Sequence, residues 1–275
     1  MSKVKRREWL DVTRLDFRHT YRSPSVEILI VLFLYFSFNV VFNWTHWTYS
    51  FVVGAGIEPT ETFLPYVNII TTFVVAQALQ QSWVMVVFIV PLLVAYTTAK
   101  SFEDNSFRTI LSYPVKRWQL LIMRTVVPTI IIGTCVTFST ILAVLLIIPA
   151  PWNIGGCFLL FGVFWLATLI VIISTLLLSV ITRRMIVSAL GGVAVWFTLM
   201  SSSYSMATPE ILRWIGNPVE VIANYIYGAD SNGIIPIIQN SVPTTDAVLG
   251  LIVLLSVIVA LLLSLSVWLF KRMEV

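Results

Sequence analysis

The residues of this chain best suited to chemistry with a partner lie in one stretch, Lys100–Arg124, KSFEDNSFRTILSYPVKRWQLLIMR. Glu103 and Asp104 stand near its start and Lys116 and Arg117 near its end, the polarity that a helix dipole favours. Phe107, Ile110 and Leu111 have helical spacing, and Pro114 stops or bends that helix. Trp118, Leu121 and Ile122 then resume an apolar stripe. The pattern predicts a short helix held against a membrane between two long apolar segments. Such a helix offers a contact surface.

The residue sets that catalysis needs are missing. No G-x-x-x-x-G-K-[ST] occurs, so the phosphate cradle of an ATPase is absent and energy must come from a partner or a gradient. His19 and His46 fall on opposite sides of the first apolar run, and there is no H-E-x-x-H, no G-x-S-x-G and no intramembrane Asp pair. Ion-coupled carriers place ionisable groups at membrane depth. Here the apolar cores hold none, and Glu27 sits at the very start of the first. Cys135 and Cys157 lie in or near apolar runs and read as small buried residues.

Uncharged polar groups are the remaining candidates. Gln77, Gln80 and Gln81 share a helical face by i, i+3, i+4 spacing. Ser201, Ser202, Ser203 and Tyr204 cluster at the end of another apolar run. Gln77, Gln81, Ser202 and Tyr204 are candidates for a substrate pathway, although hydrogen bonds between helices are the commoner use of such groups. With no charged pathway residues, an amphipathic, lipid-like or glycolipid substrate is easier to accommodate than a small ion.

The elements that must position these residues follow from charge and length. Only 11% of residues are charged and 58% are hydrophobic, whereas a soluble domain has about 25% charged. Sixteen of the 17 Lys and Arg residues fall in the first 22 residues, in Lys100–Arg124, at Arg183–Arg184 and at Lys271–Arg272. Basic residues beside membrane spans stay on the cytoplasmic side. They abut apolar spans, so anionic lipid explains the net charge of +4 better than nucleic acid does.

A hydrocarbon core about 30 Å thick needs about 20 apolar residues in a helix. Spans are expected at about 26–44, 80–98, 125–148, 154–181, 185–203 and 247–270, with 63–79 an outer helix or an extension of the second. The basic stretches then all fall on one side, with both termini inside. The fold class is all-α, a single polytopic domain over 1–275 with six transmembrane helices, in the plasma membrane. Residues 1–24 contain an amphipathic interfacial helix, with Trp9, Leu10, Val12, Phe17 and Tyr21 broadly on one face. Residues 204–246 form an outer segment of short helices, marked by Ile211, Leu212, Trp214, Ile215, Val219, Val221 and Ile222. Small residues Ser188, Ala189, Gly191, Gly192 and Ala194 allow close helix approach in the fifth span.

The segment Lys100–Arg124 resembles the intracellular loop of the type-2 ABC transporter permease family. The matching residues are Glu103, Asn105-Ser106, Ile110-Leu111, Ser112-Tyr113-Pro114-Val115-Lys116-Arg117 and Arg124. Asn105 departs from the usual Gly, but Asn tolerates the left-handed backbone better than other non-Gly residues. The amphipathic N-terminus, six spans, long segment before the last span and basic tail are similar to the family's layout. The resemblance implies a coupling helix that docks on a separate ATP-binding cassette subunit. It also implies a second permease chain, identical or not, and ATP and Mg on the partner and none in this chain. Glu103, Asp104, Phe107, Arg108, Tyr113, Pro114 and Arg117 would touch the ATPase. The expected function is the permease subunit of an ATP-driven exporter, surrounded by membrane lipids and itself no enzyme. The alternatives are an intramembrane enzyme and a non-transporting membrane assembly protein.

Overall fold

In an apolar medium a charge-free chain has no hydrogen-bond partner for its backbone except itself, and closing those bonds locally makes helices. A computed structural model describes residues 25–54, 64–104, 117–147, 154–205, 207–230 and 243–272, and among these there is no strand. In chain order the helices are α1 (Ser25–Gly54), α2 (Leu64–Val94), α3 (Arg117–Ile147), α4 (Ile154–Thr182), α5 (Met185–Ser203), α6 (Glu210–Gly216), α7 (Pro218–Asp230) and α8 (Thr245–Arg272). α2 runs on through a π-helical turn, Ala95–Ala99, into a last turn, Lys100–Glu103. Six of them, α1 to α5 and α8, are long and apolar enough to cross a membrane.

Three boundaries differ from the sequence expectation. The helix expected at about 26–44 continues to Gly54. The helix expected at about 80–98 begins at Leu64, so 64–79 extends it. α3 begins at Arg117, eight residues before the expected Thr125. The loop expected at 100–124 is therefore shorter, because Lys100–Glu103 closes α2 and Arg117–Arg124 opens α3. The N-terminal interfacial helix and residues 105–116 lie outside the described residues.

α2 and α4 form the interior. Trp83 of α2, Phe164 of α4 and Trp196 of α5 meet edge to face, with Trp83 ring centroids 6.4 Å and 6.0 Å from the other two. The Trp196 indole donates to Ser174 Oγ at 2.8 Å. Ser179 pairs with Ser188, and a Cβ on Gly192 would stand 2.9 Å from Thr175 Oγ1. These partners step in opposite directions along α4 and α5, so the two-residue link Arg183–Arg184 reverses the chain. Of the small residues expected to serve this packing, Ser188, Ala189 and Gly192 are buried and Ala194 is exposed. Thr125, Thr129, Thr168, Thr175 and Ser179 donate to the carbonyl four residues back on their own helix, which satisfies polar groups inside the bundle.

α6 and α7 make a hairpin that enters the bundle. Val219, Ile222, Ala223 and Ile226 follow i, i+3, i+4, i+7 spacing and are all buried, with α7 packed on α2 and α4. α6 packs on α5. At the tip, Gly216 lies so close to the Leu199 carbonyl oxygen that no Cβ fits. Leu199 is four residues before the end of α5, about 6 Å along the helix axis. The buried carbonyl of Gly216 accepts a hydrogen bond from Trp83 Nε1 at 2.9 Å, which satisfies that acceptor.

Candidate functional site

Two regions gather polar side chains, one at each end of the bundle. The first is the end where the basic residues collect. In the last turn of α2, Ser101 Oγ donates to Thr97 O at 2.7 Å and accepts from Arg124 Nη1 of α3 at 3.1 Å. Arg124 is 6% exposed, so its guanidinium ties α2 to α3 from within. Its position inside α3 corrects the expectation of a loop residue. Phe102 meets Phe270 of α8 edge to face at 6.1 Å. Arg272 stacks over Trp268 with its guanidinium carbon 4.1 Å from the ring centre.

Glu103 has a specific task at this end. Its Oε1 accepts a hydrogen bond from the Met185 backbone N–H at 2.8 Å. Met185 is the first residue of α5, and Arg184 before it is extended and supplies no side-chain cap. The first amides of a helix lack internal partners and carry partial positive charge, so a carboxylate from α2 replaces the missing cap. Arg183, at φ 55°, holds the left-handed turn that ends α4. Asp104 follows as the C-cap of α2 and is exposed. α2, α3, α5 and α8 are thus joined at one level, at the base of the segment that carries the expected contact residues. Phe107, Arg108, Tyr113 and Pro114 lie outside the described residues, and Arg117 opens α3.

The second region lies at the other end, around the hairpin. Of the candidate pathway residues, Gln77 is half-buried and Gln81 exposed. Ser202 Oγ donates to Leu199 O on its own helix at 2.8 Å, the helix-satisfying role. Tyr204 instead hydrogen-bonds Gln80, the third member of the glutamine set. Burial pushes the Tyr204 hydroxyl above its ordinary range, the nearby Glu220 charge adds to the rise, and the Gln80 bond opposes it.

Beside Tyr204 is a cavity of about 360 Å³ between the end of α5, the hairpin and the start of α8. Asn217, which joins α6 to α7, is 1% exposed and lines it. Its Nδ2 donates to Glu220 Oε2 at 2.7 Å, while its buried Oδ1 has no hydrogen-bond partner among the described residues. Burial pushes the Glu220 carboxyl above its ordinary range, with the Arg213 charge and the Asn217 bond drawing it back. Arg213 Nε donates to Ser203 O at 3.3 Å. This site was missed in the sequence because its residues sit in a segment read only as apolar short helices. The signal present was Asn217-Pro218-Val219-Glu220: Pro suits the first helical position, and Asn and Glu stand three apart.

No family model and no curated protein matches this chain. Cys135 and Cys157 are both buried and free, as small core residues are. Among the described residues no group of three or more His, Cys, Asp or Glu is placed to hold a metal.

Proposed function

We propose that this chain is the membrane-spanning permease subunit of an ATP-driven exporter, moved by a separate ATP-binding cassette subunit that binds ATP and Mg. Both termini and the segment 104–116 lie in the cytoplasm of a plasma-membrane protein, and a second permease chain completes the transport path. The observation that carries the reading is the junction beneath residues 104–116. The segment leaves from Glu103 and returns at Arg117, and its two roots are linked through Ser101 and Arg124. Through Glu103 the same root holds the start of α5. Force applied to the segment by a docked partner therefore reaches three spans together, which is what a coupling helix requires. The basic end fits the cytoplasmic side because Lys and Arg flank its spans. Glu103 then acts through α5, and Phe107, Arg108, Tyr113 and Pro114 make the partner contacts.

Purification of the chain from its native membrane, without crosslinker, tests this. The expected result is a complex of two permease chains with two ATPase subunits whose hydrolysis depends on Mg. A stable, transport-competent particle with one permease chain, or one lacking an ATPase, contradicts it.

A further inference from the structure

The π-helical turn Ala95–Ala99 separates the body of α2 from Lys100–Glu103, the root of residues 104–116. In it the Lys100 N–H donates to the Ala95 carbonyl, five residues back instead of four. One extra residue is thereby packed into a single turn. The helix before it is fixed: Trp83 is bonded to Gly216, and a Cβ on Gly192 of α5 would meet Pro91 at 2.9 Å. Within the turn, Ala95, Thr97, Thr98 and Ala99 are buried. Rotation about the helix axis is thus left to Lys100–Glu103.

Hydrogen bonds mark the turn as one of two registers. Thr125, Thr129, Thr168 and Thr175, all buried, each donate to the carbonyl four residues back. Thr98 is 2% exposed, and its Oγ1 has no partner among the described residues. Thr97 donates instead to Val94 O, at 3.1 Å. Rewound as α-helix, the turn would bring Thr98 to Val94, four residues back, as in the other four. It would also add about one residue of rotation, roughly 100°, to all that follows. Lys100 then takes the place of Ser101 beside Arg124, and Phe102 that of Glu103 beside the Met185 N–H. The π register keeps two polar contacts between helices, Ser101 with Arg124 and Glu103 with Met185, at the expense of Thr98. The α register satisfies Thr98, gives up both contacts and sets two cations side by side. Each register gains what the other loses, the condition for a two-state element.

We propose that Ala95–Ala99 is a rotary switch that turns the end of α2 between these two registers. In the π register α3 and α5 are held to α2 through Ser101 and Glu103. In the α register the cap on α5 is withdrawn and Lys100 repels Arg124, so α3 and α5 part from α2. The switch rests on the coupling reading for what turns it, a torque on residues 104–116, but its existence needs no ATPase.

The test is fluorine NMR of the full-length chain in nanodiscs. Cys135 and Cys157 are replaced by Ala, and Asp104→Cys, exposed and beyond the turn, carries a trifluoromethyl label. The α register is expected as a minor second resonance, about 0.1–10% of the signal. Ser101→Ala with Glu103→Ala removes both contacts and should enlarge it by about tenfold or more, since each is a hydrogen bond with a charged partner. Added to that double variant, Thr98→Val takes away the bond that favours the α register and should shrink the second resonance several-fold. Deletion of Tyr96, the exposed residue of the turn, removes the extra residue, so a plain α-helix holds one register and the second resonance should vanish. A frayed helix end would also give a second resonance, but one that Thr98→Val and the deletion leave in place; that result overturns the proposal. So does a single resonance in the double variant. If the deletion chain does not fold, Thr98→Val, a change of nearly equal shape, decides. Both registers in a chain that binds no ATPase keep the switch and contradict the exporter reading. One register in a chain that copurifies with an ATPase does the reverse.

Discussion

Single side chains at the two ends of the bundle make separable contributions. Glu103 caps a helix to which it does not belong, so its removal should act as the loss of an N-cap, about 1 kcal/mol. Glu103→Ala is expected to lower the unfolding temperature while Glu103→Gln, which keeps an acceptor, retains most of it. Equal unfolding temperatures for Glu103→Ala and the native protein would show that the cap contributes nothing. Glu220 gives a pH dependence of defined sign. Its folded-state pKa is raised, with burial the main cause, so the native state holds the proton to higher pH than the unfolded chain. That contribution to stability is complete below the ordinary carboxyl range and is lost as pH rises through the raised folded value. Glu220→Gln should therefore flatten the fall in stability over that window. Arg213 and Glu210, which line the same cavity, and Tyr204, near enough to feel the Glu220 charge, are unchanged in the comparison; an unaltered slope contradicts the assignment. The sequence offered Glu103 only as an expected partner contact and gave no sign of its role as a cap for α5. The bond to Met185 spans 82 positions, a separation on which spacing carries no information.

At the scale of elements, the small residues decide which helices touch. A Cβ on Gly192 would lie 2.9 Å from Pro91 Cβ and from Thr175 Oγ1, where α2, α4 and α5 converge. Gly192→Ala should cost about 1–3 kcal/mol by overpacking. Gly162→Ala and Gly250→Ala meet nothing within 4 Å and should be neutral or gain up to about 1 kcal/mol from helix propensity. Thermal unfolding of the three variants checks this, and a Gly192→Ala protein as stable as Gly250→Ala contradicts the packing. The apolar runs made the spans readable, since length and hydrophobicity are local properties. The start of α3 was not, because Arg117 and Arg124 look like loop charges until burial against α2 gives Arg124 a partner. For residues 204–246 the sequence predicts only an outer segment of short helices. Its entry into the bundle depends on Gly216 meeting Leu199 and Trp83, contacts between distant segments that no periodicity reveals.

At the scale of the molecule, the described residues hold six membrane-length helices whose basic end is tied together at the roots of residues 104–116 and whose opposite end is filled by a hairpin. The topology assigned to it predicts that an impermeant thiol reagent, applied to intact cells, labels Asp230→Cys and leaves Ser106→Cys untouched; the reverse pattern contradicts it. The central claim is that a separate ATPase drives the spans through this segment. On that claim Phe107 and Tyr113 would be its aromatic anchors, each worth roughly 2 kcal/mol or more in association. The most direct measurement is ATPase binding and coupled transport by a Phe107→Ala, Tyr113→Ala chain reconstituted beside a Trp214→Ala control. The account predicts that the double variant inserts and folds but releases the ATPase or hydrolyses without transport, while the control stays coupled. Normal binding and normal transport by the double variant would contradict it and leave the segment as no more than a cap on the bundle.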